Sequence, residues 1–261
     1  MKKLLLLLII PLLFSCKKEK RILVDELIHK GGGLLYYEGS LFNGVAFDVN
    51  WDGEKVIEWE IKNGKEHGWH KKWDEFGELK LKEYYQNGVL IEKHVWNTYR
   101  DENTENADLI LIEKYENGQL IHQKKWENNE LTSQKNYKNG NKHGVWIEDS
   151  ETLFGEKQEG SYKNDKKDGL WKTYYNDIVT LEEYYKDGKQ HGSSKLYYND
   201  GQLDWDFNFK DGKRHGICRY FYNNGQIHME FNYEEGNIIY QKCWDEDGNK
   251  ISCEDEVRYY C

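Results

Sequence analysis

Phe209-Lys-Asp-Gly-Lys-Arg-His-Gly216 occurs, with small changes, three more times earlier in the chain. The other copies are Tyr185-Lys-Asp-Gly-Lys-Gln-His-Gly192, Tyr137-Lys-Asn-Gly-Asn-Lys-His-Gly144 and Ile61-Lys-Asn-Gly-Lys-Glu-His-Gly68, and Tyr162-Lys-Asn-Asp-Lys-Lys-Asp-Gly169 is a degraded fifth. Between them lie segments such as Tyr197-Tyr-Asn-Asp-Gly-Gln-Leu203 and Phe221-Tyr-Asn-Asn-Gly-Gln-Ile227. The glycines set a frame. Gly53, Gly64, Gly77 and Gly88 are spaced 11, 13 and 11, and Gly188, Gly201, Gly212, Gly225, Gly236 and Gly248 are spaced 13, 11, 13, 11 and 12. Two turns in about 24 residues, joined by Tyr/Trp/Ile-rich stretches, predict one β-hairpin per repeat and a meander of about nine antiparallel hairpins. Asn129 and Asp165 stand where glycine is expected, and both residue types tolerate positive φ.

Composition agrees with this all-β reading. The 261 residues are 38% hydrophobic and 32% charged, with 20 Tyr, 10 Trp, 9 Phe, 24 Gly and one Pro, and alanine occurs only at Ala46 and Ala107. Helical bundles need more alanine and less glycine, and disordered chains lack aromatics. The prediction is a long, largely single sheet held by aromatic pairs rather than by a Leu-rich core, on the order of 80 Å long at ~4.8 Å per strand. The frame is interrupted once, because 30 residues separate Gly88 from Gly118. Strands near 89–96 and 109–115 are expected to flank a polar loop insertion at about 97–108. Residues 21–33, beginning Arg21-Ile-Leu-Val-Asp-Glu-Leu-Ile28, are expected to cap one end as a short helix or strand.

The repeated stretch resembles the MORN repeat, and more closely its bacterial variant. Standard copies carry aromatic-x-Asn/Asp-Gly-Lys-x-His-Gly, and variant copies often place Trp two residues after the second glycine. Trp146 and Trp171 hold that place here, while Ser194 and Cys218 replace it later. Tyr36-Tyr37-Glu38-Gly39-Ser40-Leu41-Phe42-Asn43-Gly44-Val45 is similar to the first unit of variant-family members. The resemblance covers residues 34–252 and implies a MORN-like repeat solenoid. Family members of this kind are often labelled antitoxin components, which implies a protein toxin as one kind of partner.

Met1-Lys2-Lys3 followed by the apolar run Leu4–Leu13 reads as a signal peptide over residues 1–15, since a membrane span needs about 20 residues. Leu13-Phe14-Ser15-Cys16 resembles a bacterial lipobox, which implies lipidation at Cys16. Residues 16–33 then form the tether and N-terminal cap, and residues 253–261 a C-terminal tail. Several acyl chains on one residue give stable anchoring. A residue other than Asp after the lipidated cysteine implies the outer membrane by the same resemblance. Cleavage also removes Lys2 and Lys3, taking the net charge from -10 to -12, which argues against nucleic acid as a partner.

The residues that carry chemistry elsewhere are scattered. His67, His143, His191 and His215 each lie in their own repeat and are expected to help set the turn with Gly64/Gly68, Gly140/Gly144, Gly188/Gly192 and Gly212/Gly216. Neither a metal site nor a cofactor is expected, and no His-Glu-x-x-His, phosphate-binding loop or Gly-x-Ser-x-Gly occurs. Acidic pairs such as Glu182-Glu183 and Glu234-Glu235 are read as solvated. Cys218, Cys243, Cys253 and Cys261 allow three pairings. Cys243 and Cys253 flank one turn and are the favoured disulfide, leaving Cys218 and Cys261 for a second. The expectation is therefore a non-catalytic, lipid-anchored module at the bacterial cell envelope that binds or scaffolds an unidentified protein. The alternatives are an antitoxin- or immunity-like role and glycan or peptidoglycan binding through exposed aromatics.

Overall fold

The computed structural model describes residues 19–98, 108–149 and 156–253. The signal peptide, Cys16, most of the polar insertion and Cys261 lie outside the described residues. The described chain is all-β. It forms one open sheet of 22 strands and a separate three-stranded sheet, Ile28–Lys30, Leu34–Tyr37 and Ser40–Leu41. Three lines of the large sheet are broken in two, as in Asn141–Lys142 followed by Gly144–Asp149, and the first strand, Arg21–Leu23, runs parallel to Gly44–Val49. Counting each broken line once and leaving out that first strand, eighteen lines follow one another in chain order, each antiparallel to the next, from Gly44–Val49 to Lys250–Ile251.

Turn chemistry explains this order. Eight two-residue turns stand along one edge, from Asn63-Gly64 to Glu235-Gly236, and both residues of each have positive φ. That is the type I′ geometry, whose twist matches that of the flanking strands and which favours Asn-Gly and Asp-Gly. On the opposite edge, five-residue turns such as Asn50–Glu54 and Asp74–Glu78 predominate. In these, Asn50 Oδ1 accepts from the backbone N–H of Asp52 and Glu54, and Asp74 Oδ1 from Phe76 and Glu78. Arg21–Leu23 is a strand and Val24–Glu26 a short 3-10 turn, and Leu34–Leu41 differs from the expected repeat: these strands pair with Ile28–Lys30 instead of joining the large sheet. A second long connection, between Gly144–Asp149 and Lys157–Lys163, also breaks the frame.

Successive strands place their residues in continuous cross-strand rows. The inner row runs Ala46, Trp59, His70, Glu83, Lys93, Glu113, Gln123 and Lys135. It continues through Trp146, Gly160, Trp171, Glu183, Ser194, Phe207, Cys218 and Phe231. Two apolar clusters sit at the ends of this face. Ile22, Leu27, Leu35, Phe42, Ala46 and Ile61 form the first, beneath the N-terminal cap. Phe207, Cys218, Met229, Phe231, Tyr233 and Cys243 form the second.

The Cys243–Cys253 disulfide holds the chain's last described residue against the second cluster, with its Cα atoms 5.4 Å apart. Cys218 is a buried free thiol that hydrogen-bonds the Asn208 carbonyl at 3.9 Å.

Gly160 shows how tightly the inner row is packed between Trp146 and Trp171. A Cβ there would lie 2.3 Å from the Trp171 ring, although the Gly160 backbone itself suits any residue. Gly160→Ala is therefore expected to cost about 1–3 kcal/mol through overpacking. Thermal unfolding of Gly160→Ala beside wild type checks this, and an unchanged midpoint would show that the ring does not rest on the glycine.

Candidate binding surface

The repeat motif residues serve two structural tasks. Gly64, Gly140, Gly188 and Gly212 occupy the second position of type I′ turns. The histidines do not set those turns, contrary to the sequence expectation. His67-Gly68, His143-Gly144, His191-Gly192 and His215-Gly216 lie a few residues into the following strand, where Gly φ is +76 to +88 and the strand bulges. Only glycine adopts this conformation without strain.

The bulge has a defined consequence. The carbonyl just before it accepts a backbone hydrogen bond from the turn of the next repeat. Glu66 O accepts from Gly88, Lys142 O from Asp165, Lys167 O from Gly188, Gln190 O from Gly212 and Arg214 O from Gly236, all at 2.8–3.0 Å. Asn43-Gly44 plays the same part, with Phe42 O accepting from Gly64. The strands Val89–Asn97 and Gln119–Glu127 lack such a Gly, and no bond of this kind reaches Gly118 or Gly140 among the described residues. Each bond is worth about 1 kcal/mol net, and together they tie repeat to repeat along one edge.

The four motif histidines stay one or more repeats apart. Each has a buried Nδ1 without a hydrogen-bond partner, and His191 Nδ1 comes within 3.5 Å of Asp211 Oδ1. No three His, Cys, Asp or Glu among the described residues are grouped to hold a metal.

The Trp position of the motif is the inner row itself. His70, Trp146, Trp171, Ser194 and Cys218 fill it, and all are buried. Tyr137, Trp146, Tyr162 and Trp171 form an edge-to-face ladder with centroids 5.0–5.6 Å apart. Cations from the residue before the bulge lie over these rings. Lys142 Nζ lies 4.5 Å from Trp146 and 4.8 Å from Tyr162, Lys167 Nζ lies 4.1 Å from Trp171, and the Arg214 guanidinium lies 4.6 Å from Phe207. Sequence reasoning missed this role, although the variable x of Lys-x-His-Gly reads Lys, Gln or Arg in the later copies. Burial pushes His70 down to about 4, so it is neutral at pH 7 despite the Glu83 and Glu66 carboxylates at 3.5 and 3.9 Å.

The outer face carries an alternating row of charge. Glu159, Lys172, Glu182, Lys195, Asp206, Arg219, Glu230 and Lys242 are successive register partners. Lys172 pairs with Glu182 at 3.2 Å, and Glu230 takes Arg219 at 2.8 Å and Lys242 at 3.5 Å. Tyrosines add hydrogen bonds: Tyr197 to Glu182 at 3.1 Å, Tyr240 to Glu230 at 3.3 Å, and Tyr174 to Glu159. Burial, reinforced by its bond to Glu182, pushes Tyr197 up to about 12. Glu182 and Glu183 are thus half-buried and bonded rather than simply solvated, since Tyr185 and Gln190 also donate to Glu183 at 3.0 and 2.6 Å. Glu234 and Glu235 are exposed as expected.

Apolar residues flank this row. Leu170 and Tyr184 are register partners, Val145 stands two strands away, and all three are exposed. On the five-residue-turn edge, Trp51 is 94% and Phe76 68% exposed, beside a cleft of about 690 Å³ between their turns.

Two segments of the chain, residues 78–97 and 214–235, match the family model of the MORN repeat variant. The second spans the Arg214–Gly216 bulge and the turn it bonds. The first includes the Asn87-Gly88 turn and the strand that lacks a bulge. A search of the curated proteins finds no match.

Near the N-terminal end of the outer face, Glu58 is held by Arg21 at 2.5 Å, Lys55 at 2.7 Å and Lys71 at 3.5 Å. Burial alone would raise its pKa, but the Lys55 and Arg21 hydrogen bonds and charges outweigh that and bring it to about 2. A carboxylate lowered in the folded state contributes stability above its ordinary value of 4.5, and loses that contribution as pH falls toward 2. Wild type should therefore lose more stability than Glu58→Gln between pH 6 and pH 3, as read by urea midpoints. Equal losses would mean the triple pairing does not hold in solution.

Proposed function

Because the chain belongs to the MORN repeat-variant family, we propose that it is a lipid-anchored, non-catalytic repeat module that binds a partner protein at the bacterial cell envelope. The observation that carries this reading is the outer face. It is long, it is stiffened by repeat-to-repeat bonds, and its charges largely neutralise one another across the register. Beside the charged row it exposes the apolar set Val145, Leu170 and Tyr184. Exposed apolar side chains rimmed by polar groups are the usual make-up of a protein-binding patch.

The anchor follows from the N-terminal sequence. Leu13-Phe14-Ser15-Cys16 closes a short apolar run, and Lys17-Lys18-Glu19-Lys20 is a polar stretch that would serve as a tether. The acidic body is repelled by anionic lipid, so the acyl chains, not the sheet, would hold the protein at the membrane.

Affinity capture from detergent-solubilised envelopes tests both halves. Full-length protein should co-purify a reproducible partner, and Leu170→Lys with Tyr184→Lys should lose it while keeping the strand signature in circular dichroism. Cys16→Ala should leave the chain unprocessed or soluble. Unchanged capture by the double variant would remove the outer face from the reading, and unchanged membrane retention of Cys16→Ala would remove the anchor.

A further inference from the structure

The repeat provides its own control for which turn residues the fold needs. Five turns on one edge share a geometry in which the first residue's N–H donates to the fifth residue's carbonyl, and the glycine N–H donates back to the first carbonyl. They are Asn50–Glu54, Asp74–Glu78, Tyr198–Gln202, Tyr222–Gln226 and Asp245–Asn249, with both bonds at 2.8–3.2 Å. At the two tip positions the last three carry Asn199-Asp200, Asn223-Asn224 and Glu246-Asp247. The first two carry Trp51-Asp52 and Glu75-Phe76. In two of the polar-tipped turns the tip residue itself accepts, Asp200 from the Gln202 N–H and Asn224 from the Gln226 N–H. In the third, Asp245 Oδ1 accepts from Asp247 and Asn249 just as Asn50 and Asp74 do in theirs, so the same turn forms with a polar tip and the aromatics add nothing to it. Trp51 is 94% exposed, so it does not pack the sheet either.

The two tips belong to adjacent repeats and bracket the cleft between them. Val56 and Trp73 contribute apolar lining, and Asp52, Asp74 and Glu75 line it beside a single cation, Lys80. The chain already sets a cation against this lining, since Lys55 Nζ lies 5.9 Å from the Trp73 ring. Aromatic faces next to carboxylates suit a guanidinium or ammonium group that brings apolar neighbours with it. The surplus of acid disfavours an anionic lipid surface.

We propose that Trp51, Phe76 and the cleft between them form a docking site for a basic segment of a partner protein, one that presents Arg or Lys beside apolar side chains. This rests on the binding-module reading above, but not on its lipid anchor. Exposed Trp residues that become buried in a complex are typical binding hot spots, and their truncation weakens binding roughly tenfold or more.

The test uses the Cys16→Ala chain and fluorescein-labelled peptides followed by anisotropy. One peptide carries arginine and leucine in a Gly-Ser background, and its counterpart carries glutamate in place of arginine. The arginine peptide should bind and the glutamate peptide should not. Trp51→Ser with Phe76→Asn should weaken binding roughly tenfold or more without moving the thermal midpoint, whereas Glu246→Ala, at the tip of the Asp245–Asn249 turn, should leave peptide binding unchanged. Equal binding of both peptides, absence of binding, or no effect of the aromatic variant would overturn the proposal. So would phosphatidylcholine vesicles, or self-association in sedimentation velocity, if either depended on Trp51 and Phe76. Failure here with envelope capture intact would reject only this cleft. Peptide binding without envelope capture would reject the outer-face reading and leave the cleft standing.

Discussion

The backbone hydrogen bond from a turn to the carbonyl before the previous repeat's bulge is the constraint on which the rest depends. An antiparallel meander satisfies its own strands and needs nothing from the next turn. The His-Gly bulge changes that, because it frees a carbonyl from the local ladder and aims it one repeat onward. The glycine is required by its φ, and the next turn must place its second residue within reach. Two features of the sequence that look independent, the turn pair and the His-Gly pair, are thus the two halves of one bond. A bulge also increases local twist, which draws inner-row side chains together. Trp146 is 2% exposed, and its neighbours are Tyr137 and Tyr162 together with the Lys142 ammonium.

The centre of the sheet supports this account by exception. Val89–Asn97 and Gln119–Glu127 have no bulge glycine, and the turns at Gly118 and Gly140 donate no such bond among the described residues. In this stretch the inner row turns polar: Glu83, Lys93, Glu113, Gln123 and Lys135. They pair among themselves, with Gln123 donating to Glu113 at 2.8 Å, Tyr115 donating to Glu113 at 2.7 Å and Lys93 at 3.7 Å. The outer row takes in an apolar residue over the same strands, Ile112. Glu83 and Glu113 keep only 14% and 13% of their side chains exposed, so the hydrogen bonds and ion pairs around them offset the cost of placing charge on this face.

Much of this was legible in the sequence, for a physical reason. Type I′ turns demand positive φ at two residues, so Asn-Gly and Asp-Gly mark them directly, and the 24-residue frame follows. The Cys243–Cys253 pairing was legible because both residues flank one turn. The histidines were misplaced because glycine spacing reports turns and bulges alike, and only pairing register separates them. The second long connection, after Asp149, was missed because the degraded copy Tyr162–Gly169 kept the frame nearly intact across it. The first unit's departure into a separate sheet was hidden for a similar reason: Glu38-Gly39 forms a turn like the others, and nothing local says which strands it serves. The cations over the rings depend on contacts between repeats, which a motif read one copy at a time does not contain.

A repeat protein with this economy has little freedom to place a binding residue inside its frame. The inner row is committed to packing, the turn edge to bonds between repeats, and the outer row to ion pairs between neighbouring strands. A residue that the frame does not use is therefore more informative here than in an ordinary globular domain. Gly160 departs from the row's bulk and is explained by the Trp171 ring above it. Ser194 departs from the Trp position and is explained by close burial between Glu183 and Phe207. Trp51 and Phe76 depart from their turns and have no explanation among the described residues, because the sister turn Asp245–Asn249 does the same structural work with a polar tip. Side chains of high burial value held in water imply a partner surface that removes them from it, and the carboxylates around them give that surface its sign.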